Sequence, residues 1–363
     1  MKALVYSGAG LREFKDVPKP ALLKPTDAII KTTSTTICGT DLHISLGDVP
    51  ACKPGTVLGH EAIGIIESIG NDVKNFVKGD KVIISCITSC GNCYYCLKNL
   101  QSHCLDGGWI LGHKINGTQA EYTRIPHADH SLIKVPAGIP DKALLMLSDI
   151  LPTGYEIGIL SAKIGKGDSV AIVGAGPVGL ACLLTAQTFK PSKIIMIDMD
   201  DNRLATSKAL GATDTVNPKK VASVSEEINK ITSNITAKRT NGVILQDDDL
   251  FGVDVAIECV GIPATFDTCQ EIIAPGGRIA NVGVHGKKVD LQLQDLWIKN
   301  IGITTGLVSA FSTQELLDRI ISGDLDPKKL VTHTFKFSDL ETAYDIFSHA
   351  ATTGAIKTFI ELD

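Results

Sequence analysis

The chain has 363 residues, of which 44% are hydrophobic and 21% are charged, and its formal net charge at pH 7 is −5. This length favours two domains over one, and the composition excludes wholesale disorder and a fibrous repeat. The balance of 35 Lys plus Arg against 40 Asp plus Glu offers no electrostatic footprint for nucleic acid or for acidic lipid surfaces, so neither is an expected partner.

The N-terminus and the cysteine content indicate a reducing compartment. Gly8 and Gly10 interrupt the N-terminal segment before a signal-peptide apolar stretch can form. No uncharged apolar run of about 18 residues follows, so no membrane span is expected. We therefore expect a cytoplasmic protein whose ten cysteines stay reduced. A dense cysteine group in such a protein indicates metal binding rather than disulfides.

The first 150 residues predict a mainly β structure that includes a four-cysteine loop. Val and Ile runs such as Lys81–Ile84 alternate with Gly-Asp and Pro-Gly pairs, as short strands joined by turns do. Cys90, Cys93, Cys96 and Cys104 follow in a polar loop with CxxCxxCx7C spacing. Four thiolates can close a tetrahedral shell around one ion and leave no open position, so we predict a structural zinc there.

A second group of metal-binding residue types is dispersed along the same half of the chain. Cys38, the pair His60-Glu61 and Asp149 offer one thiolate, one imidazole and carboxylates, which can hold zinc while leaving a position for a substrate oxygen. Taken singly, Cys38 is more often a small buried hydrophobe and His60 a hydrogen-bonded core histidine. Spacing alone does not join these residues into one site.

From Asp168 onward the pattern changes to alternating strands and helices, which predicts a parallel sheet. A polar stretch at 232–252, which contains Asp247–Asp249, is longer than the usual connection and is predicted to be a solvated surface insertion. The predicted strands are 169–173, 193–197, 254–257 and 277–282, and helices are predicted at 178–189 and 264–273.

A glycine-rich turn lies between the first of these strands and the first helix. It contains Gly174, Gly176 and Gly179 in GxGxxG spacing, and Asp198 ends the next strand 24 residues after Gly174. This context is that of a dinucleotide-binding turn, in which an acidic residue accepts hydrogen bonds from the adenosine ribose. Asp198 would repel a 2′-phosphate, so NAD is favoured over NADP, although Arg203 is the nearest positive charge.

Taken together, Gly59-His60-Glu61, Cys38 with Thr40 and His43, the four-cysteine loop and the glycine turn resemble the zinc-dependent medium-chain alcohol dehydrogenases over nearly the whole chain. The resemblance implies an α/β protein with two domains. Residues 1–150 and 309–363 would form a GroES-like β-barrel catalytic domain. Residues 151–308 would form an NAD-binding Rossmann domain with a doubly wound parallel sheet.

The resemblance also gives the dispersed residues their roles at a catalytic zinc. Cys38, His60 and Asp149 resemble the three zinc ligands, and Glu61 resembles the neighbouring carboxylate that can enter the shell during exchange. An oxygen ligand at Asp149, where many primary-alcohol enzymes have cysteine, should leave the zinc more Lewis acidic. With the four-cysteine loop, two zinc ions per chain are implied.

Further residues resemble those that serve proton transfer and cofactor binding in this family. Thr40 resembles the hydroxyl that contacts the alcohol, and His43 the imidazole that hands its proton to solvent. Thr153 and Arg203 are expected to contact NAD. Lys357 resembles a basic residue near the cofactor pyrophosphate, although a solvated surface lysine fits the sequence equally well.

Trp109 resembles the pocket-lining tryptophan of the secondary-alcohol branch of the family, with a core aromatic as its alternative. We therefore predict an NAD-dependent zinc alcohol dehydrogenase that interconverts small alcohols, secondary ones favoured, with ketones or aldehydes, as a homodimer or homotetramer. The four-cysteine loop and the NAD preference depart from that branch. A threonine or polyol dehydrogenase of the same family therefore stays open, and a non-catalytic zinc and nucleotide-binding protein is the alternative of a different class.

Overall fold

The computed structural model describes residues 1–239 and 251–362, which form two compact units. The first unit comprises Met1–Pro152 and Val308–Asp363, and the second comprises Thr153–Leu307. The strands are β1 Lys2–Gly8, β2 Leu11–Asp16, β3 Ala28–Thr35, β4 Ala62–Ile69, β5 Lys81–Ile84, β6 Tyr122–Ile125, β7 Leu132–Lys134, β8 Ser169–Val173, β9 Lys193–Ile197, β10 Asp214–Val216, β11 Val253–Glu258, β12 Ile273–Asn281, β13 Gly302–Thr305, β14 Val331–Lys336 and β15 Lys357–Glu361.

The helices have between 4 and 10 residues in the first unit and between 4 and 16 in the second. They are α1 Gly39–Leu46, α2 Ala128–Ser131, α3 Asp141–Leu144, α4 Ile150–Thr153, α5 Pro177–Ala186, α6 Asp201–Ala209, α7 Val224–Arg239, α8 Pro263–Ile272, α9 Leu293–Leu296, α10 Thr313–Ser322, α11 Leu340–Ser348 and α12 Ala350–Thr353. A π-helical segment, Gly154–Leu160, follows α4. Among the described residues no single helix is long and apolar enough to cross a membrane, although Asp141–Leu147 and Ile150–Leu160 pass that test when counted together.

The first unit is mainly β, as its sequence predicts. Its larger sheet has the strand order β14-β15-β3-β4-β5-β7, with β6 also paired to β3, and β1 and β2 form a separate antiparallel pair. Apolar side chains of this unit pack in several clusters, of which one lies around Ile30, Val82 and Ile84 of the larger sheet and another around Leu4 of β1 and Tyr344 of α11. Ile37 and Leu58 of the second cluster lie close in sequence to Cys38 and His60, and Cys38, His60 and Asp149 all lie outside the strands.

The second unit is a six-stranded sheet with the order β10-β9-β8-β11-β12-β13, in which all neighbours are parallel. This is the strand order of the doubly wound dinucleotide-binding fold, in which ligands bind at the carboxyl ends of the strands where the order reverses. The reversal lies between β8 and β11. All five residues of β8 are buried, as expected for a central parallel strand. The predicted parallel sheet is confirmed.

The predicted surface insertion at 232–252 is wrong for its first part. Helix α7 runs to Arg239, with Ile228 buried in the core of the second unit and Ile231 packed against it. The two isoleucines are three positions apart and therefore share one helix face, which holds the helix on the sheet although its composition is polar. Asp247–Asp249 lie outside the described residues.

Candidate metal and cofactor sites

The four cysteines of the predicted structural zinc site converge in the first unit. Their sulfur atoms all lie within 4.8 Å of one another, with 4.0 Å between the Sγ atoms of Cys90 and Cys96 and 3.5 Å between those of Cys93 and Cys96. Four bonds of about 2.3 Å in a tetrahedral zinc site separate the sulfurs by about 3.8 Å, whereas a disulfide needs about 2.05 Å. All ten cysteines are free thiols. The set therefore fits a tetrahedral cation.

The surroundings of these cysteines shift their pKa values in different directions. The backbone N–H groups of Cys96 and Leu105 lower the pKa of Cys93 to about 6. Burial instead raises the pKa of Cys96 to about 12 and also raises the pKa of Cys104. A cation therefore meets one preformed thiolate and must displace protons from other thiols in order to bind.

The dispersed residues Cys38, His60, Glu61 and Asp149 also come together, with one ligand atom of each within 4.8 Å of the others. Asp149 Oδ2 lies 3.7 Å from Cys38 Sγ and 3.2 Å from His60 Nε2. Zinc with ordinary bond lengths and tetrahedral angles separates sulfur from oxygen by about 3.5 Å and nitrogen from oxygen by about 3.3 Å. The sulfur, nitrogen and oxygen donors therefore fit a zinc ion in type and in separation.

Helix α1 positions Cys38, which is its N-cap residue, and a buried carboxylate in its first turn supports the site. Asp41 Oδ2 accepts the backbone N–H of Cys38 at 2.9 Å, and Asp41 Oδ1 lies 3.4 Å from His60 Nδ1. Such a carboxylate fixes the tautomer and orientation of a metal-binding histidine. Asp41 is not among the site residues predicted from the sequence. The signal that could have identified it is a carboxylate three positions after the N-cap residue, as in a capping box.

Glu61 is held by a lysine that comes from the other end of the chain. Lys357 Nζ donates to Glu61 Oε1 at 2.7 Å and to the Ile37 carbonyl at 3.1 Å. Both side chains of the ion pair are 1% exposed, so the alternative that Lys357 is a solvated surface lysine is wrong. Burial raises the pKa of Glu61 to about 7, against the opposing effect of Lys357. Burial alone would lower the pKa of Lys357, but the Glu61 carboxylate raises it above its ordinary value.

Protons compete with a metal cation for the dispersed set, which consists of Cys38, His60, Glu61 and Asp149. Burial raises the pKa of the Cys38 thiol. Burial alone would lower the pKa of His60, but the carboxylates of Asp41 and Asp149 raise it well above its ordinary value. The site therefore favours positive charge next to these carboxylates, and a metal ion must replace a proton there.

The residues assigned to proton transfer and substrate size occupy the same unit. Thr40 and His43 are three positions apart on α1; Thr40 is half-buried, and His43 is exposed with its Nδ1 2.9 Å from Asp48 Oδ2. The half-buried Trp109 stacks on His113, with the ring centres 4.2 Å apart. Trp109 also packs against a buried cluster that includes Cys86, and Cys86 Sγ lies 3.6 Å from Asp149 Oδ1.

In the second unit, two glycines of the predicted turn cannot be replaced by a larger residue, because a Cβ atom would collide with neighbouring protein atoms. Gly174 has a φ of 105°, and a Cβ atom there would lie 2.5 Å from a methyl carbon of Val260. A Cβ atom at Gly179 would lie 1.8 Å from the carbonyl oxygen of Gly174. At Gly176, by contrast, the nearest such atom is Nη1 of Arg203 at 4.0 Å. The space at Gly176 therefore fits a ligand that approaches the backbone closely.

The other predicted cofactor residues lie near this turn or at the start of the unit. Asp198, at the end of β9, accepts the N–H of Ala175 at 2.7 Å and that of Asp200 at 2.9 Å, which ties the strand to the glycine turn. Arg203 lies in the first turn of α6 and places a positive charge beside Gly176. Thr153 is half-buried at the end of α4.

Two family models match large parts of this chain, and related proteins match nearly all of it. The model for the alcohol dehydrogenase GroES-like domain matches residues 24–137, and that for zinc-binding dehydrogenases matches residues 177–322. An alcohol dehydrogenase of Cupriavidus necator is 34% identical over 382 aligned residues, covering 99% of this chain and 98% of that protein.

Two solved structures share the fold over their full length. The apo form of zinc dependent alcohol dehydrogenase 2 from Streptococcus pneumonia is 54% identical with a TM-score of 0.89, covering 100% of this chain and 99% of that chain. Alcohol dehydrogenase TADH from Thermus sp. ATN1 is 30% identical with a TM-score of 0.88 and covers 100% of both.

The fold, the two donor sets and these similarities define the chain as a zinc-binding dehydrogenase with a GroES-like and a Rossmann-like part. It belongs to the zinc-dependent medium-chain alcohol dehydrogenase family and is an oxidoreductase of that family. The predicted family and fold class are therefore confirmed. The individual site residues stay predictions, and membership implies an alcohol or aldehyde substrate and a nicotinamide nucleotide.

Proposed function

We propose that this protein is an NAD-dependent zinc alcohol dehydrogenase that interconverts small alcohols, secondary ones preferred, with ketones or aldehydes. One observation carries the proposal. Cys38, His60 and Asp149 are far apart in sequence, yet their ligand atoms converge with separations suited to a tetrahedral zinc. Three protein ligands leave a fourth position, which is the arrangement of catalytic rather than structural zinc sites.

Each donor set would hold one zinc, giving two per chain. Cys38, His60 and Asp149 would bind the catalytic ion, with Glu61 beside them, and the four-cysteine loop would bind the structural ion. A bound zinc supplies the Lewis acidity that lowers the pKa of the alcohol hydroxyl. The Lys357 ion pair holds Glu61 Oε1 and leaves Oε2 as the oxygen available to the site.

Proton removal is assigned to two side chains of α1. Thr40 Oγ1 would accept the proton from the alcohol hydroxyl, and His43 would pass it to water. His43 suits this relay because its side chain is 61% exposed and its Nδ1 is oriented by Asp48, which leaves Nε2 to exchange with solvent.

The second unit is assigned to NAD. The glycine turn would receive the pyrophosphate at the N-terminus of α5, where Gly176 leaves space and Arg203 adds positive charge. Asp198 would accept hydrogen bonds from the adenosine ribose. Each of its two carboxylate oxygens accepts one backbone N–H in the structure, and a carboxylate oxygen can accept more than one hydrogen bond. A dinucleotide held there would supply the acceptor for the hydride. Thr153 is assigned to the same cofactor.

Substrate size and assembly belong to the same proposal. Asp149 as an oxygen ligand, with Trp109 packed against the cluster that reaches it, supports small secondary alcohols.

Strand β13 is an exposed sheet edge, and the apolar residues Trp297 and Ile298 beside it are more than 60% exposed, which supports a homodimer or a homotetramer built from it. A reducing, cytoplasmic location suits two sites that need thiolates.

Initial rates with primary, secondary and polyol alcohols, each with NAD and with NADP, test the proposal. We expect the highest kcat/KM for a small secondary alcohol with NAD. Highest activity with threonine or a polyol would replace the proposed substrate by the alternative within the family. A purified, metal-loaded sample that binds NADH but oxidises no alcohol would support the non-catalytic alternative instead.

A further inference from the structure

Cys86 is a buried cysteine that neither donor set includes. It lies two residues after β5, is 2% exposed, and donates its backbone N–H to the carbonyl of Ser148 at 2.9 Å. Its Sγ lies 3.6 Å from Oδ1 of Asp149, the residue that follows Ser148, and this is within hydrogen-bonding distance for sulfur. Both the main chain and the side chain of Cys86 are therefore bonded to the segment that presents Asp149.

The two carboxylate oxygens of Asp149 have different neighbours. Oδ2 lies 3.7 Å from Cys38 Sγ and 3.2 Å from His60 Nε2, so it is directed at the donor set. Oδ1 is directed at Cys86. One oxygen is thus presented to a metal ion, while a hydrogen-bond donor occupies the other.

The surroundings of Cys86 favour this weak hydrogen bond. Cys86 packs with buried Ile87 and Val308 and with the partly buried Trp109. A thiol is a weak donor in water, but a hydrogen bond to a carboxylate is electrostatically stronger in apolar surroundings. Cys86 is not among the residues whose ligand atoms cluster within 4.8 Å, so its place is beside a ligand.

We propose that Cys86 is a positioning residue whose thiol holds Asp149 Oδ1 and thereby limits Asp149 to a single metal bond through Oδ2. This inference rests on the proposed function, in which Cys38, His60 and Asp149 hold zinc. If both oxygens of Asp149 bound the ion, they would occupy the position that the substrate oxygen needs. Cys86 therefore keeps that position open.

Variants of Cys86 separate the hydrogen bond from packing. Cys86→Val fills the space with an apolar side chain, and Cys86→Ala removes the sulfur altogether. Neither variant can donate a hydrogen bond to Asp149. Cys86→Ser keeps a donor. Cys52→Ala is the matched control, because Cys52 is also a buried cysteine of the first unit, with its sulfur 3.9 Å from the carbonyl oxygen of Gly112 instead of from a ligand.

The test measures zinc affinity by chelator competition and the visible spectrum of the cobalt(II)-substituted protein. The spectrum of a Cys38→Ser variant is subtracted from each, which isolates the bands of the dispersed set. We expect Cys86→Val and Cys86→Ala to bind zinc about 10-fold more weakly, at the low end of the 10–100-fold range for groups that orient ligands, because a thiol is a weak donor. Their cobalt bands should differ from those of wild type in position and intensity, because the second oxygen of Asp149 can then enter the coordination shell.

Cys86→Ser should keep the wild-type cobalt spectrum, and Cys52→Ala should match wild type in both measurements. Wild-type affinity and spectrum in both donor-free variants would overturn the proposal, as would an equal change in Cys52→Ala. If Cys86→Ala does not fold, Cys86→Val alone decides between these results. A wild-type protein that takes up metal only at the four-cysteine loop would overturn the proposed function and this inference together.

Discussion

Asp41 shows how a single buried carboxylate supports the dispersed donor set from behind. It bonds the backbone of Cys38 and faces the ring nitrogen of His60 that points away from Asp149. Gln119 in turn donates a hydrogen bond to Asp41 and accepts one from the hydroxyl of Tyr344 at 2.8 Å. The orientation of the imidazole proposed to bind the metal therefore depends on residues that would never touch the metal.

Replacing Asp41 by Asn should weaken zinc binding at the dispersed set about 10–100-fold, since an amide cannot hold the His60 ring as a carboxylate does. Zinc affinity measured by chelator competition checks this. Asp48→Asn is a matched control, because Asp48 also pairs with a histidine Nδ1, that of His43, but at an exposed position. Equal zinc loss in both variants would contradict the role of Asp41.

The proton path predicts different effects at Thr40 and His43. Thr40→Ala should remove most turnover and Thr40→Ser should retain it, because a hydroxyl is needed and a methyl group is not. His43→Gln should lower kcat by about 10-fold, because water or buffer can replace a terminal relay, and added imidazole should restore part of the rate. Circular dichroism establishes that each variant is folded. A folded His43→Gln variant that imidazole does not rescue would remove His43 from the path.

Asp198 sets the expected cofactor preference. The double variant Asp198→Gly with Met199→Arg should shift the kcat/KM ratio from NAD toward NADP, because the carboxylate that repels a 2′-phosphate is gone and a cation stands beside its place. Initial rates with both cofactors measure the shift. A wild-type enzyme with the higher kcat/KM for NADP would show that Arg203 outweighs Asp198.

At the scale of elements, the sequence predicts buried strands well and polar helices poorly. The predicted strands 169–173 and 193–197 have the bounds of β8 and β9, because nearly every residue there is apolar and buried. Helix α7 is hidden by its polar composition, and few apolar residues, among them Val224, Ile228 and Ile231, mark the face that packs on the sheet. A pattern of few apolar residues at helical spacing is therefore easily mistaken for a loop.

The four-cysteine loop should lose zinc as the pH falls. Cys93 has a lowered pKa of about 6, so its thiolate is present above that pH and becomes protonated as the pH falls through it. Cys96 and Cys104 have raised pKa values, so protons already oppose the metal there at neutral pH. Zinc occupancy in a zinc-buffered solution should therefore fall steeply between about pH 7 and about pH 5. An occupancy that stays constant over this range would contradict the assignment.

At the scale of the whole molecule, contacts between distant parts of the chain are what spacing cannot predict. Cys38 and Asp149 are 111 residues apart, and Glu61 and Lys357 are 296 residues apart. Family resemblance anticipates the first pair because its motifs lie in the same order along the chain. It does not anticipate the Lys357 ion pair, since a single lysine in an apolar strand carries no local sign of its partner.

The proposed function requires two separate metal sites in the first unit, and the zinc content of wild type and of Cys38→Ser, measured side by side, tests this most directly. We expect two zinc ions per chain in wild type and about one in the folded Cys38→Ser variant, because the four-cysteine loop keeps its ion when the dispersed set loses a ligand. The loss of both ions, or of neither, in that variant would contradict separate structural and catalytic sites.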